Sequence, residues 1–458
     1  MKRTFLLIWA VAAALTITVT NCTPDNNDPK KEERPENLKP VTIDIDILND
    51  WVFEARPVFP LHIKNPNKVK FNDVLKVKYF TDKNKTLIPA LSEEIDLEIP
   101  AKGLDMEVTT QQDLDPGFYK VAIYIGSVCR TFTFGINPTK IVSAPDKQSD
   151  FNKFWNDAKA QLDGINMDAQ LTEITTRSSA TRKIYLVELK SIPDGLEGEP
   201  VTVRGYYAQP QDGEKHPVLM HFYGYDDQNP TSKADCPYGG NSNYAEFYFS
   251  IRGQMLNNRK AEKREPDGKG DFVNTYGDWF AFNFGQRDAY YYRGAFIDCV
   301  QAIRFMAAQP TSDMNNLFAE GSSQGGALSY AAAALSDYPF TAIAPCVAFL
   351  GDFPDYFQIV GWPANTAKAN QGSMTDDEMY AFLSYFDTKN LVTRFSPNTA
   401  VIACIGLQDG TCPPHTNIAP YNNLPGTDKE IYYYPEMGHQ IPSDWPQKYG
   451  NFFKARMK

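Results

Sequence analysis

A serine between glycines, Gly321-Ser322-Ser323-Gln324-Gly325, follows the short apolar run Leu317-Phe318-Ala319 and opens into the small-residue stretch 327–335. That order reads as strand, tight turn and helix, with Ser323 at the apex. The glycines suit a turn in which a side chain would strike the neighbouring strand or helix. A helix N-terminus favours negative charge, which suits an oxyanion forming beside the serine. The chemistry indicated is attack by Ser323 on a carbonyl carbon. The plain alternative is an ordinary structural turn.

A serine hydroxyl needs a base in contact, and that base needs an orienting carboxylate. The chain has five histidines: His62, His216, His221, His415 and His439. His216 and His221 stand five apart on one expected strand, so they face opposite sides and share no metal. His439 comes late, just beyond the last expected strand, which fits the serine–acid–histidine order of α/β-hydrolases. Asp409 ends the apolar run 401–407 and is the expected acid, with Asp352, Asp355 and Asp387 as rivals. Two backbone N–H groups must hold the oxyanion. Gln324, after the nucleophile, is one expected donor; Tyr225, in the loop after the run 217–222, is the other. Cys412-Pro413-Pro414-His415 offers one thiol and one imidazole, too few for zinc. With no G-x-G-x-x-G or phosphate-binding loop, neither metal nor cofactor is expected.

Elements to carry these groups alternate along 148–458. Strands are expected at 201–207, 217–222, 247–251, 317–319, 341–347, 401–407 and 431–434, and helices begin at Phe151 and Tyr292. This is a doubly wound, mostly parallel α/β domain. Before it, 41–137 shows only short alternating runs. One is a hairpin turning at Gly126-Ser127, so an all-β, immunoglobulin-like sandwich is expected. The stretch 138–147 is a linker, and 23–40 is a polar tether with nothing to build a core. Residues 1–22 carry Lys2 and Arg3, then an apolar core and Cys22, the pattern of a lipoprotein-type export signal. Cys22 is then the lipidated N-terminus of a protein at the periplasm or outer-membrane surface, touching membrane through that anchor alone. Of the later cysteines, Cys129, Cys299, Cys346 and Cys404 lie in apolar runs and are expected free and buried. Cys236 and Cys412 lie in loops and are the candidates for reactivity or pairing. A net charge of −11 argues against nucleic acid as a partner.

Taken together, Phe154-Trp155, Gly224-Tyr225, Arg252-Gly253-Gln254, Tyr291-Tyr292-Arg293-Gly294, Asp298-Cys299, the 321–326 segment, Asp409 with Cys412-Pro413-Pro414, and Gly438-His439 resemble the acetyl xylan esterases and cephalosporin C deacetylases. The resemblance spans about 148–458. It implies a Ser323–Asp409–His439 triad, oxyanion donors at Tyr225 and Gln324, and a structural bracing role for Arg252, Gly253 and Gln254. It implies removal of small acyl groups, chiefly acetyl, from sugar hydroxyls, and a homo-oligomer. The chain departs from the family at Gln440, where glutamate is usual, at Ile251, where an acidic residue is frequent, and in its added β domain. Two other readings remain: an exported serine hydrolase of another type (a peptidase or general short-chain esterase), and a non-catalytic glycan-binding protein using aromatics such as Tyr223 and Tyr225.

Overall fold

Among the described residues, eight strands precede the first α-helix. They are β1 (Thr42–Ile45), β2 (Val52–Phe53), β3 (Val58–Lys64), β4 (Phe71–Thr81), β5 (Glu93–Ile99), β6 (Leu104–Thr109), β7 (Gly117–Ile125) and β8 (Val128–Ile136). The structure, a computed structural model, describes residues 38–226, 243–254, 256 and 274–458. The export-signal reading of 1–22, Cys22 and Cys236 therefore lie outside the described residues. The eight strands form two sheets, β1-β3-β6 and β2-β8-β7-β4-β5. They are joined across a shared core in which Phe59 of β3 meets Phe132 and Phe134 of β8 at ring distances of 5.0 and 5.2 Å. The β7–β8 hairpin pairs Ile125 with Val128 around Gly126-Ser127. Three strands that sequence patterning does not mark are β2, β3 and β6. In β3 the alternation Phe59, Leu61, Ile63 is fully buried but interrupted by Pro60, which demotes a strand signal.

The α/β domain follows with α1 (Phe151–Asp163), β9 (Gln170–Glu173), β10 (Arg182–Ser191), β11 (Val201–Pro210), β12 (His216–Phe222), β13 (Ala245–Ser250), α2 (Tyr291–Ala307), β14 (Ser312–Ser322), α3 (Gln324–Leu335) and β15 (Ala342–Cys346). Then come α4 (Phe353–Ile359), α5 (Ala364–Asn370), α6 (Asp376–Leu383), α7 (Thr388–Leu391), β16 (Ala400–Gly406), α8 (Pro414–Asn422), β17 (Lys429–Tyr434) and α9 (Trp445–Lys454). Among the described residues nine strands make one sheet in the order β17-β16-β15-β14-β12-β13-β11-β10-β9. Pairing is parallel from β13 to β17 and antiparallel among β9, β10, β11 and β13. This is the α/β-hydrolase arrangement. β15 and β16 are buried at every residue, as interior parallel strands must be. Helices α2 and α3 are buried almost all round, so they are core elements. The segments after β12, β14, β16 and β17 all leave the C-terminal edge of the parallel sheet. That edge is where sites form in such folds.

Candidate active site

Ser323 stands between β14 and α3 with φ +57° and ψ −122°, a backbone few side-chain-bearing residues adopt. A Cβ on Gly321 would meet the Gly325 carbonyl at 2.4 Å, and one on Gly325 would meet the Phe222 carbonyl at 2.3 Å. The turn is thus pressed between its own helix and β12, and glycine is required on both sides. The Ser323 N–H donates to the Cys346 carbonyl of β15 (2.9 Å), and its carbonyl accepts from the Phe349 N–H (3.0 Å). These bonds hold the apex while its hydroxyl projects.

The three groups separated by up to 116 positions in sequence meet here. His439 Nε2 lies 2.9 Å from Ser323 Oγ, and His439 Nδ1 lies 2.8 Å from Asp409 Oδ2. An ionised carboxylate only accepts, so Nδ1 carries the proton and Nε2 presents its lone pair to the serine. The other oxygen of Asp409 accepts the N–H groups of Thr411 and Cys412, each at 2.8 Å. The Asp409 side chain is buried, and that of His439 is 28% exposed.

The loop after β12 lies against the nucleophile: a Cβ at Gly224 would fall 3.7 Å from that of Ser323. Gln254 Nε2 donates to the Gly224 carbonyl (2.9 Å), and the Tyr225 hydroxyl donates to Asp278 (2.8 Å). On the other side, the first N–H groups of α3 have no acceptor within the helix, and Gln324 is anchored by a bond from the Tyr292 hydroxyl (2.9 Å). Both N–H-bearing segments are therefore fixed by side chains. Arg252 is buried and gives its guanidinium to Asp298 (2.7 and 2.9 Å), to Asp194 (2.9 Å) and to the Ile192 carbonyl (3.1 Å). Its carbonyl accepts the Tyr291 hydroxyl (2.7 Å). A Cβ on Gly294 would strike this guanidinium at 2.0 Å, which accounts for glycine closing Tyr291-Tyr292-Arg293-Gly294. Gly253 turns the chain at φ +73° between Arg252 and Gln254.

The model of the family described as acetyl xylan esterase (AXE1) matches residues 139–456. The chain belongs to the acetyl xylan esterase family. Similar proteins include the acetyl esterase Axe7A of Xylanibacter ruminicola, 24% identical over 320 residues, which are 67% of each chain. Among solved structures, the acetyl xylan esterase from Paenibacillus sp. R4 is 25% identical with a TM-score of 0.56. Acetyl xylan esterase 1 from Thermoanaerobacterium sp. JW/SL YS485 is 23% identical with a TM-score of 0.55. Each alignment covers 70% of this chain and 98% of the other. Family and fold agree on a serine-type carboxylic ester hydrolase.

Within this acetyl xylan esterase-family chain, the remaining histidines have other partners. His62 meets Asp105 and Asp46, His216 meets Asp212, and His221 meets Glu320 while stacking on Tyr248. His415 is buried, with Nε2 at 2.9 Å from both Asp352 and Asp355. Lys389 binds Asp352 (2.9 Å), and Lys83 of the β domain binds Asp355. His415, Asp352 and Asp355 place ligand-type atoms within 4.8 Å of one another. Two lysines already balance the two carboxylates, so the cluster reads as an ion-pair network. The carboxylates hold His415 up at about 9, protonated at neutral pH. The rival acids are thereby occupied elsewhere. Asp387 accepts the N–H groups of Asp352, Phe353 and Lys389.

Two cysteine expectations need correction. Cys129 is not free: it is disulfide-bonded. An apolar neighbourhood does not separate a packed thiol from a bridged one. Cys412 is free and fully buried, and so is unpaired. Its thiol lies beside the Tyr356 hydroxyl (4.0 Å) and the Ser323 side chain. Burial pushes it well up, which opposes the reactive thiolate. Cys299, Cys346 and Cys404 are free and buried. Asp194, Asp278 and Tyr356 also support the site. Nothing local in the sequence marks them, because each meets its partner across the fold.

Proposed function

We propose that the protein removes acetyl groups from acetylated carbohydrates, such as xylan or xylo-oligosaccharides, through an acyl-enzyme on Ser323. The observation that carries this is the continuous contact Ser323–His439–Asp409 at 2.9 and 2.8 Å. His439 Nε2 takes the Ser323 proton as Oγ attacks the acetyl carbonyl. The N–H groups of Gln324 and Tyr225 hold the oxyanion of the tetrahedral intermediate. His439 then gives that proton to the departing sugar oxygen, leaving acetyl on Ser323. Water, deprotonated by the same imidazole, attacks next. Acetic acid leaves, to ionise in solution, and the proton taken from water passes from His439 to Ser323 Oγ. Asp409 holds the imidazole in the required tautomer and stabilises its charged form. Arg252, Gly253 and Gln254 brace the loop that carries Tyr225.

The carbohydrate reading follows the family and the relatives named above. In the same reading, 1–22 is the export signal and Cys22 the lipid-bearing residue. Residues 23–40 are the tether, 41–137 the β domain, 138–147 the linker and 148–458 the esterase. Among the described residues no helix is long and apolar enough to cross a membrane.

The test is acetate release from a panel of acetylated xylan, mannan, pectin and small acetylated sugars, with octanoyl esters and a peptide amide included. Acetylated oligosaccharide is expected to be turned over, and the octanoyl ester and the amide poorly. Equal rates from acetyl to octanoyl, or faster cleavage of the amide, would overturn the assignment.

A further inference from the structure

Asp409 is preceded by Gln408, whose side chain leaves the α/β domain. Gln408 Oε1 accepts the Thr133 N–H (2.8 Å), and Nε2 donates to the Thr133 carbonyl (3.0 Å) and to the Pro435 carbonyl (2.6 Å). The acceptor and both donor hydrogens of one amide are thus committed. They tie together strand β8 of the N-terminal domain, the loop that presents Asp409, and the loop of 435–438 that presents His439. The two loops are also zipped by their main chains. Leu407 N–H donates to the Tyr434 carbonyl (3.0 Å), and Gln408 N–H donates to the Met437 carbonyl (2.8 Å).

The β8 side of the contact is open for this purpose. Thr133 lies opposite Lys120 of β7. In an antiparallel ladder the N–H and C=O of one residue face the same neighbour. Those of Thr133 face Gln408, away from β7. On that flank, among the described residues, β2 pairs with Gly135 and Ile136. The glutamine amide therefore stands where a further strand residue would pair. The far end of the Asp409 loop is held by the same N-terminal part of the chain. Helix α8 starts at Pro414. Near its end, Asn422 donates to the carbonyls of Pro138 (3.0 Å) and Ile141 (2.9 Å), and Asn423 to that of Ser143 (2.7 Å). Lys83, at the corner after β4, binds Asp355, itself a partner of the His415 on α8. The segment 408–423, which carries the acid of the triad, is gripped at both ends by residues 83–143.

We propose that the N-terminal β domain is a positioning part of the catalytic unit, acting through the Gln408–Thr133 clamp that sets the Asp409 loop against the His439 loop. It rests on the triad reading above. Gln408 touches neither substrate nor the reacting atoms. Its effect passes through the Asp409–His439 contact, and displacements of about 1 Å in such contacts cost on the order of 100-fold in rate.

The experiment compares wild type, Gln408→Met and Gln408→Asn in the full-length chain on a chromogenic acetate ester. Rates are normalised to sites titrated with a serine-directed phosphonate. Met fills the space without hydrogen bonds; Asn keeps an amide too short to reach Thr133 and serves if the Met variant does not fold. The expected result is a fall in kcat of about 10- to 100-fold per titrated site, with KM and melting temperature near wild type. A lower melting temperature with wild-type kcat per site would show a merely structural contact and overturn the proposal; so would wild-type values throughout. Ser323→Ala run alongside separates the two levels. If it is inactive while the Gln408 variants match wild type, only the positioning role falls. If it retains turnover, the triad reading falls with it.

Discussion

Replacing Asp409 with asparagine isolates the part of the proposed triad that does not react. The carboxylate accepts three N–H groups: His439 Nδ1 on one oxygen, Thr411 and Cys412 on the other, all at 2.8 Å. Asparagine has one accepting oxygen. If it keeps the two backbone donors, its NH2 faces His439 and forces Nδ1 to accept. The ring proton then sits on Nε2, and the imidazole no longer takes the Ser323 proton. If the amide flips, its NH2 meets two backbone donors, and each unsatisfied buried group costs about 1–3 kcal/mol. The first arrangement is cheaper, so the fold is kept and the tautomer is lost. A tautomer error of this kind costs about 10⁴ in kcat, or roughly 5 kcal/mol of barrier. The assay is steady-state hydrolysis of a chromogenic acetate ester, with a melting curve on the same sample. Asp409→Asn is expected to lose about 10⁴ in kcat while KM and melting temperature stay near wild type. A kcat within tenfold of wild type would refute the tautomer argument.

The buried Arg252–Asp298 pair offers a stability test. Asp298→Asn leaves the buried guanidinium with Asp194 as its one remaining carboxylate, a loss of about 3 kcal/mol, the low end for breaking a buried pair. That corresponds to a fall in melting temperature on the order of 10 °C; an unchanged melting curve would remove Arg252 from the bracing role. His415 offers a pH test. Its value is raised from 6.5 to about 9 by Asp352 and Asp355, so its contribution is complete below pH 6.5 and is lost as pH rises through about 9. The shift is worth roughly 3 kcal/mol. The stability gap between wild type and His415→Gln, read by urea unfolding, should be widest near pH 6 and shrink toward pH 9.5; a gap independent of pH would contradict the ion-pair account.

Legibility from sequence followed the range of the physical constraint. The elbow is readable because its constraints are local: two glycines that cannot carry a Cβ, a strand before and a helix after. His439 is readable by scarcity, since only five histidines exist. Asp409 is readable from its place after β16, although Asp352, Asp355 and Asp387 are separable only once their own partners are seen. The interior strands β12, β15 and β16 announce themselves as apolar runs. Strand β3 does not, because Pro60 interrupts its signal; β6 does alternate, Leu104, Met106 and Val108 against the exposed Asp105 and Glu107, but over only six residues. The clamp at Gln408 leaves no sequence trace, as its partner Thr133 is 275 positions away. The bridged state of Cys129 is equally silent, since pairing depends on a second cysteine brought near in space.

The central claim is that Ser323 carries the acetyl group between sugar and water. It is tested most directly by quenching the enzyme during turnover of an acetate ester and mapping the modified peptide by mass spectrometry. One acetyl group on Ser323 is expected, absent from Ser323→Ala and accumulating when deacylation is rate-limiting. Full turnover by the Ser323→Ala variant, or acetyl trapped at a different residue, would contradict the account.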